Sequence, residues 1–570
     1  MKHLFSCLKR YRLEAILAPL FKLLEAGMEL LVPLVVAKIV NVGVANGDTG
    51  YIVNACLLLA AFGAFGLGFA LTAQYFAAKA AVGTSAELRR RLFNKMQSFS
   101  FTQIDDMGTS SMLTRMTSDT QQVQTGVNMT LRLFLRSPIV VFGAAAMAFV
   151  VDAKAALVFV AVIPLLALVV FSVMAACIPR YKRVQEKLDG VYLSTRENLT
   201  GSRVIRAFRM EDEEIAGFHG KTAELERVQV RVGRIAALSA SLTYVLVNLA
   251  AVILIYIGAL RVNLGALEQG DVIALYNYLA LILVELVKFA NWIVTATKAV
   301  SCMKRIGTVL DTDGESTCGN TEAGKRAGAP HVAFQNVTFT YAGGGAPALH
   351  DISFTAERGE TVGILGGTGA GKSTLVQLLP RFYNATEGCV EVCGENVNDL
   401  SVESLRERIG YVPQRAELFR GTIASNLRWG KEDATDEELL RAAELAQAAD
   451  VVEAKGGLYG EVAQEGRNLS GGQRQRLTIA RALVRNPEIL VLDDSASALD
   501  YATDARLRAA LKTLDCTVFI VSQRVASVMH ADKILVLDEG RIADMGTHDE
   551  LLARCKLYRE IYHSQTEEQA

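Results

Sequence analysis

The stretch "TVGILGGTGAGKST" (Thr361–Thr374) decides the reading of the C-terminal half. An apolar run of strand character, Thr361 to Leu365, leads into G-x-x-x-x-G-K-[ST]: Gly366, Gly367, Thr368, Gly369, Ala370, Gly371, Lys372 and Ser373. Thr374 then opens the helical "TLVQLLPRF". In that context the glycines let backbone N–H groups wrap a phosphate, Lys372 reaches the terminal phosphates, and the Ser373 hydroxyl is a Mg²⁺ ligand. The runs "HVAFQNVTFTY", "EILVLDD" and "CTVFIVSQ" alternate with helical segments around it, an α/β pattern. Asp493 ends the run "EILVL", where a carboxylate would hold the magnesium ion through water.

The rest of the chain is of another kind. With 570 residues, 51% hydrophobic, and a mean hydropathy of +0.26, it is too long for one domain and too apolar to be wholly soluble. Six segments of spanning length lie at 15–41, 52–78, 133–151, 156–178, 239–261 and 272–296. The start "MKHLFSCLKRYRLEAILAPLF" has the basic opening of a signal peptide. Its apolar run continues past Glu25 and Glu29 with no small-residue cleavage pattern, so a retained membrane helix is expected. Basic residues cluster before the first segment (Lys2, Lys9, Arg10, Arg12), in "ELRRRLFNK", in "RYKRVQEK" and at Lys304 and Arg305. The opposite loops "NGDTG", "DAK" and "RVNLGALEQGD" are short and carry few positive charges. By the positive-inside rule both termini and the two long loops face the cytoplasm of a multi-pass cell-membrane protein.

Those long loops, 79–132 and 179–238, are polar but helix-forming, and they predict membrane helices extended into the cytoplasm; disordered loops are the alternative. Short crosswise turns are expected at 105–115 and 197–208. Residues 311–330 lose periodicity and mark a linker between a domain over 1–310 and one over 331–570. The balance of 59 basic against 60 acidic residues gives no sign of nucleic-acid binding. The nine cysteines form no CxxC pair, and Cys389 and Cys393 are better strand-packing positions than metal ligands.

"LSGGQRQR" (Leu469–Arg476) narrows the class. Together with the phosphate loop, "YVPQ" ending at Gln414, the aromatic Tyr341 and "SALD" ending at Asp500, it resembles the nucleotide-binding domain of the ABC transporter family. The six segments and two long loops ahead of it look like a half-transporter of the exporter type. The resemblance implies an all-α transmembrane domain of type IV exporter fold joined to an α/β P-loop ABC ATPase domain. It implies ATP and Mg²⁺ as ligands, with Tyr341 against adenine (otherwise an ordinary strand aromatic) and Ser373, Gln414 and Asp493 at the metal. Leu469, Ser470, Gly471, Gly472 and Gln473 would act on an ATP held by a second half-transporter, next to the loop at Asp500. Glu465, in "EVAQEGRN", would lie where exporters meet the coupling turns.

Two positions depart from that pattern, and both concern hydrolysis. Asp494 in "VLDDSASALD" stands where the family has a glutamate, and Gln523 in "SQRV" where it has a histidine. The implied site holds ATP and turns it over slowly, in a heterodimer whose partner supplies the missing pair; degenerate members of bacterial multidrug-type exporters are similar. In the membrane half, Glu25, Glu29 and Glu285 are candidates for a substrate cavity, or else for interhelical pairing or the water boundary. The substrate class implied is amphipathic, drug-like or lipid-like. A siderophore-type importer and an ATP-gated regulator or channel are the alternatives.

Overall fold

The computed structural model describes residues 1–315, 329–495 and 498–567. Most of the expected linker and Cys318 lie outside them, as do Ala496 and Ser497. Two compact units emerge: Met1–Gln97 with Ser110–Thr312, and Ser98–Thr109 with Asp313–Ala570.

The first unit is helical. Its long helices are Arg12–Lys38, Thr49–Gln97, Arg136–Val151, Ala153–Thr200, Glu211–Asn263 and Gln269–Asp311, with Thr120–Leu133 leading into the third. At 1.5 Å per residue, the 49-residue helix Thr49–Gln97 is about 70 Å long, far beyond a ~30 Å hydrocarbon core. Among the described residues, five helical stretches are long and apolar enough to cross a membrane. Arg12–Lys38 corresponds to the first predicted segment and has the length, but Lys22, Glu25 and Glu29 interrupt its apolar surface. The core is built from small and branched residues: Ala144, Ala148, Ala155, Ala156, Phe159, Leu254, Leu275 and Ile282 are buried. Alanine at facing positions lets helices approach closely where lipid offers no hydrophobic drive. In the short loop "DAK", Asp152 accepts from the Ala155 N–H at 2.7 Å, capping the helix that follows, and also pairs with Arg261.

The second unit holds, among the described residues, twelve strands: β1 (Val332–Phe339), β2 (Leu349–Ala356), β3 (Thr361–Gly366), β4 (Glu387–Val392), β5 (Glu395–Asn396), β6 (Ile409–Val412), β7 (Gly421–Thr422), β8 (Glu461–Val462), β9 (Ile489–Asp493), β10 (Thr517–Ser522), β11 (Lys533–Asp538) and β12 (Arg541–Gly546). The main sheet has the order β12-β11-β3-β10-β9-β6 and is parallel except for β12; a four-stranded antiparallel sheet has the order β2-β1-β4-β5. The strands β3, β9 and β10 are apolar through their middles because both faces are covered: Ile364, Val491 and Phe519 point to one core, Leu365, Leu492 and Val518 to the other.

The short helix Phe101–Met107 belongs to this second unit. It starts ahead of the turn expected at 105–115 because Ser100 and Gln103 form a capping box, each side chain bonded to the other's backbone N–H. Phe101 stacks on Phe382 at 4.5 Å, and Tyr383 donates to Asp105 at 2.6 Å. In the first unit, the helix Ser202–Phe208 falls within the other expected turn and leaves Val204 and Phe208 exposed.

Candidate functional site

Parallel register explains why residues far apart in sequence converge. Val521 of β10 pairs with Asp493 of β9, and Ser522 with Leu365 of β3, so the C-terminal ends of three strands lie side by side. Loops leaving those ends carry Gly367–Gly371, Asp494 and Gln523, while Gln414 follows β6 at the edge. Ligands of open α/β sheets bind at this kind of edge. A cleft of about 290 Å³ opens there, lined by Tyr341, Thr368, Lys372, Gln414, Asp494 and Gln523. A second cleft of the same volume, beside Arg508, Lys512 and His530, contains none of these groups.

Lys372 is buried and donates to the carbonyl oxygens of Gly366 (3.0 Å) and Gly367 (2.7 Å), and burial lowers its pKa. Gly371 has a φ of +92°, and a Cβ there would come within 2.8 Å of Leu349 Cδ2, so only glycine closes the loop without strain. Tyr341 Oη lies 2.9 Å from the Thr374 hydroxyl, which fixes one edge of its ring beside the loop.

Asp493 is held through both oxygens: Ser373 Oγ donates to one at 2.7 Å and Tyr411 Oη to the other at 3.0 Å. Burial raises its carboxyl pKa and pushes the Tyr411 phenol far up. Asp494 has a left-handed backbone, φ +48°, and its Oδ2 accepts from Gln414 Nε2 at 3.3 Å. Its pKa is raised by burial, against the opposing pull of the Gln414 hydrogen bond and of Lys372. A hydroxyl and a carboxylate in direct contact, with an amide nearby, are the hard oxygen donors Mg²⁺ takes. The residues present fit that ion, which when bound neutralises charge on transferring phosphate oxygens.

The chain matches the family description "ABC transporter transmembrane region" over residues 15–286 and "ABC transporter" over 349–497. It belongs to the ABC transporter family. The "Uncharacterized ABC transporter ATP-binding protein YfiB" of Bacillus subtilis (strain 168) is 36% identical across 99% of this chain and 98% of its own length. The "Putative multidrug export ATP-binding/permease protein YgaD" of the same strain is 30% identical across 99% and 98%. A solved structure, "Structure of a bacterial Atm1-family ABC exporter with ATP bound", has the same fold, with a TM-score of 0.81 and 24% identity over 98% of this chain and 99% of that one. The chain is an ABC exporter half-transporter, a multi-pass membrane protein whose ABC ATPase domain couples ATP to transport.

The remaining ABC motifs lie on helix starts. Ser470 caps the helix Gly471–Val484, its Oγ accepting from the Gln473 N–H at 3.3 Å and its own N–H donating to Gln473 Oε1 at 2.9 Å. Leu469 is buried and anchors the loop. A Cβ on Gly472 would touch the Ala498 carbonyl at 3.0 Å, while one on Gly471 would meet nothing within 4 Å. The fold itself therefore accounts for Gly472 but not for Gly471, which keeps an exposed surface smooth. Asp500 caps the helix Tyr501–Leu511 through the Thr503 N–H at 2.9 Å, and Glu465 sits in an exposed left-handed turn.

Some partners were not legible from motifs. Tyr411 opens "YVPQ" with no chemistry of its own in the motif, yet it touches Asp493 and packs edge-on against Phe382 at 5.1 Å. Gln565, on the helix Lys556–Glu567, donates to the Gln523 carbonyl and accepts from the Val525 N–H, each at 2.8 Å. In the helical unit, Glu29 and Glu285 both bond Arg136, and Glu25 lies 3.9 Å from it. Glu285 is fully buried and also accepts from Ser137 and Lys288, each at 2.8 Å. Arg136, a charge inside an apolar segment, was the available signal for this network.

Proposed function

We propose that this chain exports amphipathic small molecules, drug-like or lipid-like, as one half of a heterodimer, with its termini and ATPase domain in the cytoplasm. The observation that carries the heterodimer is the pairing of an intact phosphate loop and signature with Asp494 and Gln523 at the positions that act on water. Asp494 is one methylene shorter than glutamate and is already engaged by Gln414. A base out of reach of its water loses ~10²–10⁴ in rate. Gln523 lines the same cleft and cannot take a positive charge, so a charged phosphate is stabilised less.

In this reading Tyr341 supports the adenine, the Gly366–Thr374 loop and Lys372 hold the phosphates, and Ser373, Gln414 and Asp493 hold Mg²⁺. Ser470 and the smooth Gly471 surface meet the γ-phosphate in the partner's site. Closure of the two ATPase domains moves the short crosswise helices, and the membrane helices pass from inward- to outward-facing. The amphipathic substrate class is supported by the similarity to YgaD, a "Putative multidrug export ATP-binding/permease protein". Glu25, Glu29 and Glu285 serve interhelical pairing around Arg136 rather than a substrate cavity, because each is within reach of that cation.

The test is Mg-ATP hydrolysis in lipid nanodiscs by this chain alone and by its complex with a half-transporter encoded beside it. A nearly inactive single chain and a fast pair are expected. A fully active homodimer would remove the asymmetric mechanism.

A further inference from the structure

Away from the nucleotide cleft, three metal-ligating side chains meet in the second unit. His331 immediately precedes β1, Cys393 lies in the turn between β4 and β5, and Glu488 immediately precedes β9. Their ligand atoms all lie within 4.8 Å of one another, and His331 Nε2 is 3.7 Å from Glu488 Oε2. His331 and Cys393 are buried, while Glu488 keeps partial access to solvent.

The hydrogen bonds fix which imidazole nitrogen faces the cluster. Thr517 donates its one hydroxyl proton to the Glu357 carbonyl at 3.0 Å and accepts from the Gly359 N–H at 3.1 Å. With that hydroxyl assignment the ring N–H is the donor in its 2.7 Å contact with His331 Nδ1, and Nε2 is the nitrogen on the side of Glu488, 3.7 Å from Oε2. A hydrogen bond to the far nitrogen is what orients a histidine at a metal.

The backbone adds an independent sign. Val392 pairs with Glu395, so Cys393 and Gly394 form a two-residue hairpin loop, with φ of +54° and +79°. Such turns favour Asn-Gly or Asp-Gly, and a cysteine there is strained. Cys393 Sγ also accepts from an Arg408 guanidinium nitrogen at 3.6 Å.

We propose that His331, Cys393 and Glu488 form a binding site for a thiophilic divalent cation of the zinc class, with water as the fourth ligand. Imidazole nitrogen, thiolate and carboxylate are the donors tetrahedral zinc accepts. On binding, the Cys393 thiol gives its proton to solvent, and a sulfur–metal bond replaces S–H. The two anionic ligands then balance the dication. His331 and Cys393 flank strands of the four-stranded sheet, and Glu488 leads into β9 of the main sheet. The ion would staple one sheet to the other, at the end of β9 opposite Asp493.

The test uses full-length protein in lipid nanodiscs, stripped with a chelator and titrated with Co²⁺, then Zn²⁺, while absorption is followed. The expected result is one Co²⁺ per chain, with a near-ultraviolet sulfur-to-cobalt band that Zn²⁺ abolishes. Cys393→Ser should lose that band, and the milder Glu488→Gln should weaken Co²⁺ binding by about tenfold or more. Absence of the band in the unaltered protein at stoichiometric Co²⁺ overturns the proposal whatever the variants do. Its survival in Cys393→Ser, or unchanged affinity in Glu488→Gln, overturns the ligand set.

Discussion

Placing the family's glutamate and histidine at positions 494 and 523 should speed hydrolysis at this chain's own ATP site. The double substitution Asp494→Glu, Gln523→His adds one methylene of reach, roughly 1 Å, at the base, and a misplacement of that size costs on the order of 10²-fold. It also supplies a side chain able to carry charge beside the phosphate, and a well-placed general base contributes ~10²–10⁴. The surroundings leave room for the change: Asp494 lines an open cleft, and the 3.3 Å bond from Gln414 is among the contacts to be remade. Single-turnover hydrolysis is the right assay, in a heterodimer whose partner site is silenced by replacing its own glutamate with glutamine. The expected gain is at least about 10²-fold, whereas Asp494→Asn in the original background should lower the rate less than about tenfold. The reasoning fails if the double variant stays slow, or if Asp494→Asn abolishes a rate that was already high.

Ser470→Ala should remove most hydrolysis by the heterodimer, with only about 1 kcal/mol lost in stability from the missing cap; ATPase activity and thermal unfolding, measured together, separate the two effects. Gln565→Ala frees the Gln523 carbonyl and the Val525 N–H, so hydrogen exchange at Val525 should accelerate about tenfold, the equivalent of one ordinary hydrogen bond. Phe101→Ala removes the ring stacked on Phe382 and should leave ATP binding intact while abolishing stimulation of hydrolysis by transported substrate. Arg136→Gln leaves the buried Glu285 with Ser137 and Lys288 as partners and should cost about 1.5–3 kcal/mol, one hydrogen bond to a charged group, seen as a lower unfolding temperature that Glu285→Gln partly restores.

The parts of the site that could be read in the sequence are those whose chemistry is local. The phosphate loop needs its glycines within a few residues of Lys372, and Asp493 and Asp494 sit at the end of an apolar run, so spacing alone singles them out. The helix Phe101–Met107 was partly legible, since "SFTQ" is a capping box, but its place in the second unit depends on Phe382 and Tyr383 nearly three hundred residues away. Arg136 is hard to read from sequence because a single charge barely changes the hydropathy of its segment, although it is the cation that gathers three carboxylates.

What no motif could supply is the pair of aromatic routes leading out of the nucleotide cleft. From Asp493, Tyr411 leads to Phe382 and then to Phe101. From Tyr341, an edge-on contact at 5.3 Å leads to Tyr383, whose hydroxyl holds Asp105. Both routes end on the same seven-residue helix, one starting at the carboxylate expected to face Mg²⁺ and the other at the aromatic expected to face adenine. Stiff rings in edge and stacked contact transmit small displacements with little slack, because a packed interior does not deform continuously. A nucleotide that moved Asp493 or Tyr341 would therefore be felt at Phe101–Met107 whether or not this site hydrolysed it. That is what a slowly hydrolysing ATP site would need in order to keep a part in the transport cycle.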